Sequence, residues 1–322
     1  MVVTVFVRRR LRREARNHAP PHNRGGIAGT CGSITARNRQ VALLVLALGS
    51  LSVLFYSTTS ITTSSSRLEK PRHTKTVHGS DARRNSTTAV IQRGAGQYQL
   101  DTPTGVTPGT YSWSQYGQDT LVDDVLQAHR GGFFLEIGGY DGEKHSNTLF
   151  FETQRGWEGL LVEANPHTFH QMLARDRTCG MVQACISNTV PSMTFHLAGG
   201  ETTALSTASA AHLQRIHRDV QTYGHTKQWH GAGDVVTTPC YALGTLLESL
   251  DVHHVDYFSL DVEGAEVHIL NSIDFERYTF GVLSIEVQEN RQEIHHIMTA
   301  KGYERFHSLP IDDFYQPIVA SK

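Results

Sequence analysis

Phe133-Phe134-Leu135-Glu136-Ile137-Gly138-Gly139-Tyr140-Asp141-Gly142 is an apolar run that ends in an acid-bearing glycine turn. A short apolar run of this kind, closed by glycines, fits a buried strand. Four further runs, Gly159–Glu163, Met181–Ile186, Val255–Leu260 and Val282–Val287, have the same character. Helical periodicity separates them near residues 118–129, 146–155, 166–176, 243–250, 263–271 and 290–301. Strand–helix alternation predicts an α/β fold, a mostly parallel sheet with helices on both faces. Tyr303–His307 and Phe314–Val319 are placed to close that sheet as an antiparallel pair. Residues 199–233, rich in Ala, Thr, Gly and His, interrupt the alternation as a partly helical insertion between Thr194–Leu197 and Val235–Cys240. Insertions of this length serve as lids or partner surfaces.

Upstream of residue 111 the chain changes character. Residues 1–40 carry nine arginines (8, 9, 10, 12, 13, 16, 24, 37 and 39) against the single acid Glu14. Val41–Tyr56 holds no charge, and with Ser57–Ile61 it reaches the ~20 residues that a membrane-spanning helix needs. A signal-anchor helix over 41–61 is the expectation, against a cleaved signal peptide or a buried core helix. The arginine flank then keeps the N-terminal tail in the cytosol. A type II membrane protein with its C-terminal domain in the lumen of the ER, Golgi or endosomal route follows. Residues 62–110, beginning in a Ser/Thr tract, read as a disordered stem. Within it lies Asn85-Ser86-Thr87, the one N-x-[ST] glycosylation sequon. The overall charge of −2 gives no reason to expect a nucleic-acid partner. Four cysteines are too few for a disulfide scaffold. In a lumenal domain Cys179 and Cys185 could pair; otherwise the cysteines downstream of the apolar segment are small buried thiols.

The candidate site residues lie where strands end. Ligands of open parallel sheets bind outside the carboxyl ends of the strands. Gly138 and Gly139 allow close backbone approach to a ligand, and the turn lacks the G-x-G-x-x-G spacing of a dinucleotide site. Its E-x-G-G-x-D-G pattern, with acids beside the glycines, suits S-adenosylmethionine, whose charged end is a sulfonium with an amino-acid head. Glu163 closes the second strand, where a carboxylate can accept both ribose hydroxyls. Asn165-Pro166 then starts a helix. Asp261 and Glu286 end two later strands on the same edge and are candidates for a catalytic base or a ligand pair. Glu263 and Glu266 also have a structural explanation, because acids are favoured in a first helical turn. The 19 histidines show no zinc spacing, and no metal is assigned.

Several blocks, in order, resemble the FkbM-type methyltransferase family. They are Ser114-Gln115-Tyr116-Gly117-Gln118-Asp119, Phe133–Gly142 followed by Ser146-Asn147-Thr148, Glu163-Ala164-Asn165-Pro166, and Asp261-Val262-Glu263-Gly264-Ala265-Glu266. The resemblance spans roughly residues 111–316. It implies a Rossmann-like class I methyltransferase fold that uses S-adenosylmethionine for O-methylation of a small-molecule or glycan acceptor. It also implies cofactor contacts from Glu136, Gly138, Asp141 and Glu163, with Gly139 and Asn165 beside them. Asp261 and Glu286 fall on the implied active-site edge. Gly139 stands where many members have Ala. The layout of tail, anchor, stem and lumenal domain is also similar to that of Star-like proteins, which implies transport of membrane cargo on a non-catalytic version of this fold. A type II glycosyltransferase shares the layout, but Asp261-Val262-Glu263 is its nearest approach to D-x-D.

Overall fold

The computed structural model describes residues 74–78, 88–101, 112–227, 229–287 and 290–319. The basic tail, the 41–61 segment and Asn85 lie outside these residues. Among the described residues, no helix is long and apolar enough to cross a membrane.

The chain order is β1 (Thr74–His78), β2 (Thr88–Gln92), α1 (Gln118–Val125), β3 (Phe133–Ile137), a π-helical turn (Phe151–Arg155), β4 (Glu158–Glu163), α2 (Pro166–Ala174), β5 (Gly180–Gln183) and β6 (Cys185–Ile186). It continues with β7 (Ser192–His196), β8 (Thr203–Ala204), α3 (Ala210–Tyr223), β9 (Val235–Tyr241), α4 (Leu243–Ser249), β10 (His254–Leu260), α5 (Glu266–Ser272), β11 (Thr279–Glu286), α6 (Arg291–Ala300), β12 (Tyr303–Ser308) and β13 (Asp312–Pro317). Nine strands form the main sheet in the order β1-β2-β5-β4-β3-β10-β11-β13-β12. Strands β5, β4, β3, β10 and β11 are parallel, whereas β13 joins β11 antiparallel and β12 joins β13 antiparallel.

Side chains alternate across a strand, so each strand feeds two cores. Leu135, Leu160, Phe258 and Leu283 pack on one face with Leu246 of α4, Leu270 of α5 and Met298 of α6. Phe134, Leu161, Tyr257 and Val282 pack on the other with Val122 of α1, Phe151 of the π-turn and Met172 of α2. The expected α/β fold, with helices on both faces and an antiparallel C-terminal pair, is present.

Three expectations need correction. Residues 74–78 and 88–101 fall within the expected stem, yet β1 and β2 extend the sheet. They pair antiparallel over five positions, and Ile91 is 1% exposed in the first core. Burial of Ala89 and Ile91 and the pairing of Gln92 with Met181 offset the ordering cost that a polar stem could not meet. The expected strand 181–186 is broken at Ala184: β6 leaves the main sheet and joins β9, β7 and β8 in a second sheet of four strands. That break also redirects the cysteines. Cys185 faces Cys240 in the β6–β9 register and bonds to it, with Cα atoms 4.3 Å apart. Cys179 is a buried free thiol, so the Cys179–Cys185 pairing is not formed, and Cys185 and Cys240 are not free thiols. The bridge closes a loop of 55 residues that contains the 199–233 insertion. Chain-entropy arguments assign about 4 kcal/mol to a loop of this length.

Candidate active site

Counting in steps of two from Phe134, Leu161, Tyr257 and Val282 gives Glu136, Glu163, Ser259 with Asp261, and Ser284 with Glu286. All therefore point from the sheet toward the face packed by α1, the π-turn and α2, at the carboxyl ends of neighbouring parallel strands.

Two adjoining cavities open along this edge. One is apolar, walled by Ile137, Val162, Ala184, Ile186, Met193 and Phe195, with Glu163 and Cys185 in its lining. The other is a cleft of about 350 Å³ that includes Tyr116, Lys144, Asn147, Lys227, Trp229 and Glu286. Gly138, Tyr140, Gly200, Asp261 and Glu263 border both.

Gly138 is the pivot between them. The Gly138 and Gly139 amides donate to the Val162 carbonyl at 2.9 and 3.1 Å, which folds the turn back over β4. Gly138 has φ of 90°, and a Cβ there would collide with the Asp261 carbonyl. Only glycine meets both conditions. Gly139 differs: its Cβ would meet the Met172 Cε at 2.7 Å, the mobile end of a flexible side chain. That is why alanine is tolerable at this second position.

The candidate residues then divide. Glu163 faces the apolar pocket, its Oε2 accepting from the Tyr140 amide at 2.8 Å and its Oε1 from the Asn165 amide at 2.8 Å. Burial pushes its pKa up to about 7, although those amides favour the charged form. Thr168 and the Ala164 amide also stabilise the carboxylate, which stands in the lining of the pocket as an acceptor for a hydroxyl-bearing ligand. Glu136 lines the cleft, but its carboxylate accepts from Ser146 Oγ at 3.0 Å, Asn147 N at 2.8 Å and Thr148 Oγ1. It organises the 146–148 turn more than it presents itself to a ligand. Asp141 lines neither of these cavities; it accepts from the Glu143 and Lys144 amides and pairs with Arg175 at 3.2 Å. Asn165 lines neither cavity. Its Oδ1 caps α2 through the His167 amide at 2.9 Å and its Nδ2 donates to Thr202 at 3.0 Å.

Behind Glu136 lies Arg177, fully buried, which the sequence did not single out. Its Nε donates to Glu152 at 2.7 Å, and its Nη1 donates to the Gly142 carbonyl at 2.8 Å and to Ser146 at 3.2 Å. Burial disfavours the guanidinium, but the Glu152 and Glu136 carboxylates outweigh it and hold it charged. Nothing in the local sequence marks an isolated arginine as the core of a charge network.

At the other end of the cleft Asp261, Glu263 and Glu286 place carboxylate oxygens within 4.8 Å of one another. Asp261 and Glu286 share a hydrogen bond, and both are raised, first by loss of solvent and then by neighbouring acids. For Glu263, burial and Asp261 together outweigh Arg215. The insertion supplies the countercharge: Arg215 of α3 donates to Glu263 at 2.9 Å and lies 3.6 Å from Glu201. Lys227 lies over the Tyr223 and Trp229 rings, 4.8 Å from each centroid. The insertion thus forms one wall of the cleft. Arg215, Lys227 and Trp229 were not among the expected site residues, because their approach depends on how α3 folds back.

This fold, with its glycine turn, strand-end acid and adjoining apolar pocket, defines a Rossmann-like methyltransferase domain. The model of the methyltransferase FkbM domain matches residues 136–305, and the chain belongs to that family, whose members take a methyl group from an S-adenosylmethionine-type donor. Among solved structures, the chain is similar to the precorrin-6Y C5,15-methyltransferase from Geobacter metallireducens at 11% identity, over 67% of this chain and 100% of that one, with a TM-score of 0.34. It is similar to the human methyltransferase 10 domain containing protein at 11% identity, over 62% and 80%, with a TM-score of 0.32. No curated protein matches the chain.

Proposed function

We propose that the chain is an S-adenosylmethionine-dependent O-methyltransferase acting on a hydroxyl of a small molecule or glycan. The observation that carries this is the apolar pocket with Glu163 in its lining, joined through Gly138 to the acids of the cleft. The pocket walls suit an adenine ring, Glu163 its ribose, and the Gly138 turn leaves room for the amino-acid end. When bound, the cofactor supplies a methyl group activated on a sulfonium. The Asp261–Glu286 pair would take the proton of the acceptor hydroxyl held beside that methyl group. Carboxylates whose proton affinity is raised by burial suit that base role near neutral pH. Tyr116, Trp229 and Lys227 give the cleft an aromatic and cationic wall suited to a sugar or an anionic acceptor.

Calorimetric titration of the full chain with S-adenosylmethionine and S-adenosylhomocysteine tests this. Micromolar binding is expected, weakened ten- to a hundredfold in Glu163→Ala, because a hydrogen bond to a charged group contributes roughly 1.5–3 kcal/mol. A folded chain that binds neither compound would overturn the catalytic reading. It would favour the Star-like reading, in which the domain holds membrane cargo.

We also propose a lumenal setting for this domain. The Cys185–Cys240 bond supports it, because disulfides persist in oxidising compartments. The arginine-flanked apolar segment 41–61 supports a single-pass anchor. Protease added to sealed microsomes should leave the C-terminal domain intact; digestion without detergent would place it in the cytosol.

A further inference from the structure

We propose that Asp261, Glu263, Glu286 and Asn147 form a binding site for one divalent cation that prefers oxygen ligands, Mg²⁺ or Mn²⁺. Two observations lead there independently. The first is the spacing of the three acids, whose ligand oxygens all lie within 4.8 Å. Around Mg²⁺, bonds of about 2.1 Å put opposite ligands roughly 4.2 Å apart. At least two of the three pairs must be adjacent ligands, roughly 3.0 Å apart, so side-chain rotation draws those oxygens inward by up to about 1.8 Å on binding. The donors are all oxygen, which selects a hard cation over zinc or copper.

The second observation is Asn147. It is 6% exposed and lines the same cleft as the three acids. Its Nδ2 donates to Ser259 Oγ at 2.9 Å, two residues before Asp261 and on the same face of β10. In this orientation the Oδ1 is left buried without a hydrogen-bond partner. A buried carbonyl oxygen with no donor is costly unless something fills it. A protonated acid of the cluster could have donated to it, and none does. A cation satisfies the amide oxygen and the crowded carboxylates together.

Arg215 gives the cluster its internal countercharge, occupying Glu263 Oε2 alone. Arg215 and the proton held between Asp261 and Glu286 are what balance the cluster without an ion. A divalent ion takes the place of that proton, since carboxylate ligands bind metal in their deprotonated form. The use of the ion rests on the methyltransferase reading: it would hold the acceptor oxygen beside the methyl donor. Its existence does not rest on that reading.

Electron paramagnetic resonance of free Mn²⁺, recorded while the full chain is titrated in detergent, tests the site without any turnover. One ion per chain is expected, displaced by excess Mg²⁺. Affinity should fall at least tenfold in Asp261→Asn and in Asn147→Ala, each checked for folding by circular dichroism, and stay unchanged in the exposed Glu276→Gln. Absence of a bound ion at millimolar Mn²⁺ overturns the proposal. So does equal affinity in folded Asp261→Asn or in folded Asn147→Ala. Glu163→Ala should lose S-adenosylmethionine and retain Mn²⁺. Mn²⁺ binding without nucleoside binding would therefore sink the methyltransferase reading and leave the cation site standing.

Discussion

Glu136 and Asp261 end neighbouring parallel strands and point to the same face, yet their surroundings are opposite. Glu136 is surrounded by donors: two hydroxyls, a backbone amide and the Arg177 guanidinium behind them. Asp261 faces another acid, with Glu263, Glu266 and Asp312 close enough to raise the proton affinity of the group. Position on a strand edge therefore makes an acid available, and the groups that touch its carboxylate decide what it does. Where donors converge, the carboxylate builds the fold. Where acids converge, the site still has room for a proton, a cation or a substrate.

The sharpest way to break this contrast is to remove the donor side. Arg177→Met should leave Glu152 and Glu136 buried without their cation and destabilise the domain by about 3–5 kcal/mol. Urea unfolding should show this as a lower midpoint. A loss below about 1 kcal/mol would mean that Glu136 and Glu152 are neutral in the fold. Glu163 lies between the two extremes and gives a smaller, pH-dependent effect. Its folded pKa is raised from 4.5 to about 7. Its contribution to stability is thus complete below about pH 4.5 and is lost as pH rises through 7. Cofactor affinity should run the other way, because the ionised carboxylate accepts the ribose hydroxyls. Binding about tenfold weaker at pH 6 than at pH 8 is expected from that ionisation. The same titration on Glu163→Gln should be flat between these values; an equal slope in the variant would assign the pH dependence to another group.

The sequence was informative where local pattern and final position coincide. Glu163 and Asp261 were legible as strand-end acids because they close apolar runs, and the structure places both in the lining of the cavities. Asp141 and Asn165 lie inside family-like blocks, and the structure gives each a local role, in a turn and a helix cap. The Asn-Pro pair had indicated the helix start on its own. Arg177 and Arg215 were not legible, since each acquires meaning only from carboxylates 25 and 48 residues away. The disulfide was missed for a similar reason. Reading 181–186 as one strand kept Cys185 in the main sheet, whereas β6 carries it to β9. Strands β1 and β2 are short and largely polar, so their hydrophobic pattern was too weak to oppose a stem assignment.

The Cys185–Cys240 bond has a consequence for how this domain can diversify. It fastens the chain on both sides of the insertion, next to the apolar pocket, and the β7–β9 register, down to His196 opposite Val235, fastens it again. Between those fastenings, a doubling of loop length costs only about 0.6 kcal/mol. Residues 199–233 can therefore be rewritten by insertion, deletion or exchange while the strand-edge acids stay in place. Lineages built on this scaffold can change what they recognise without relearning how to fold.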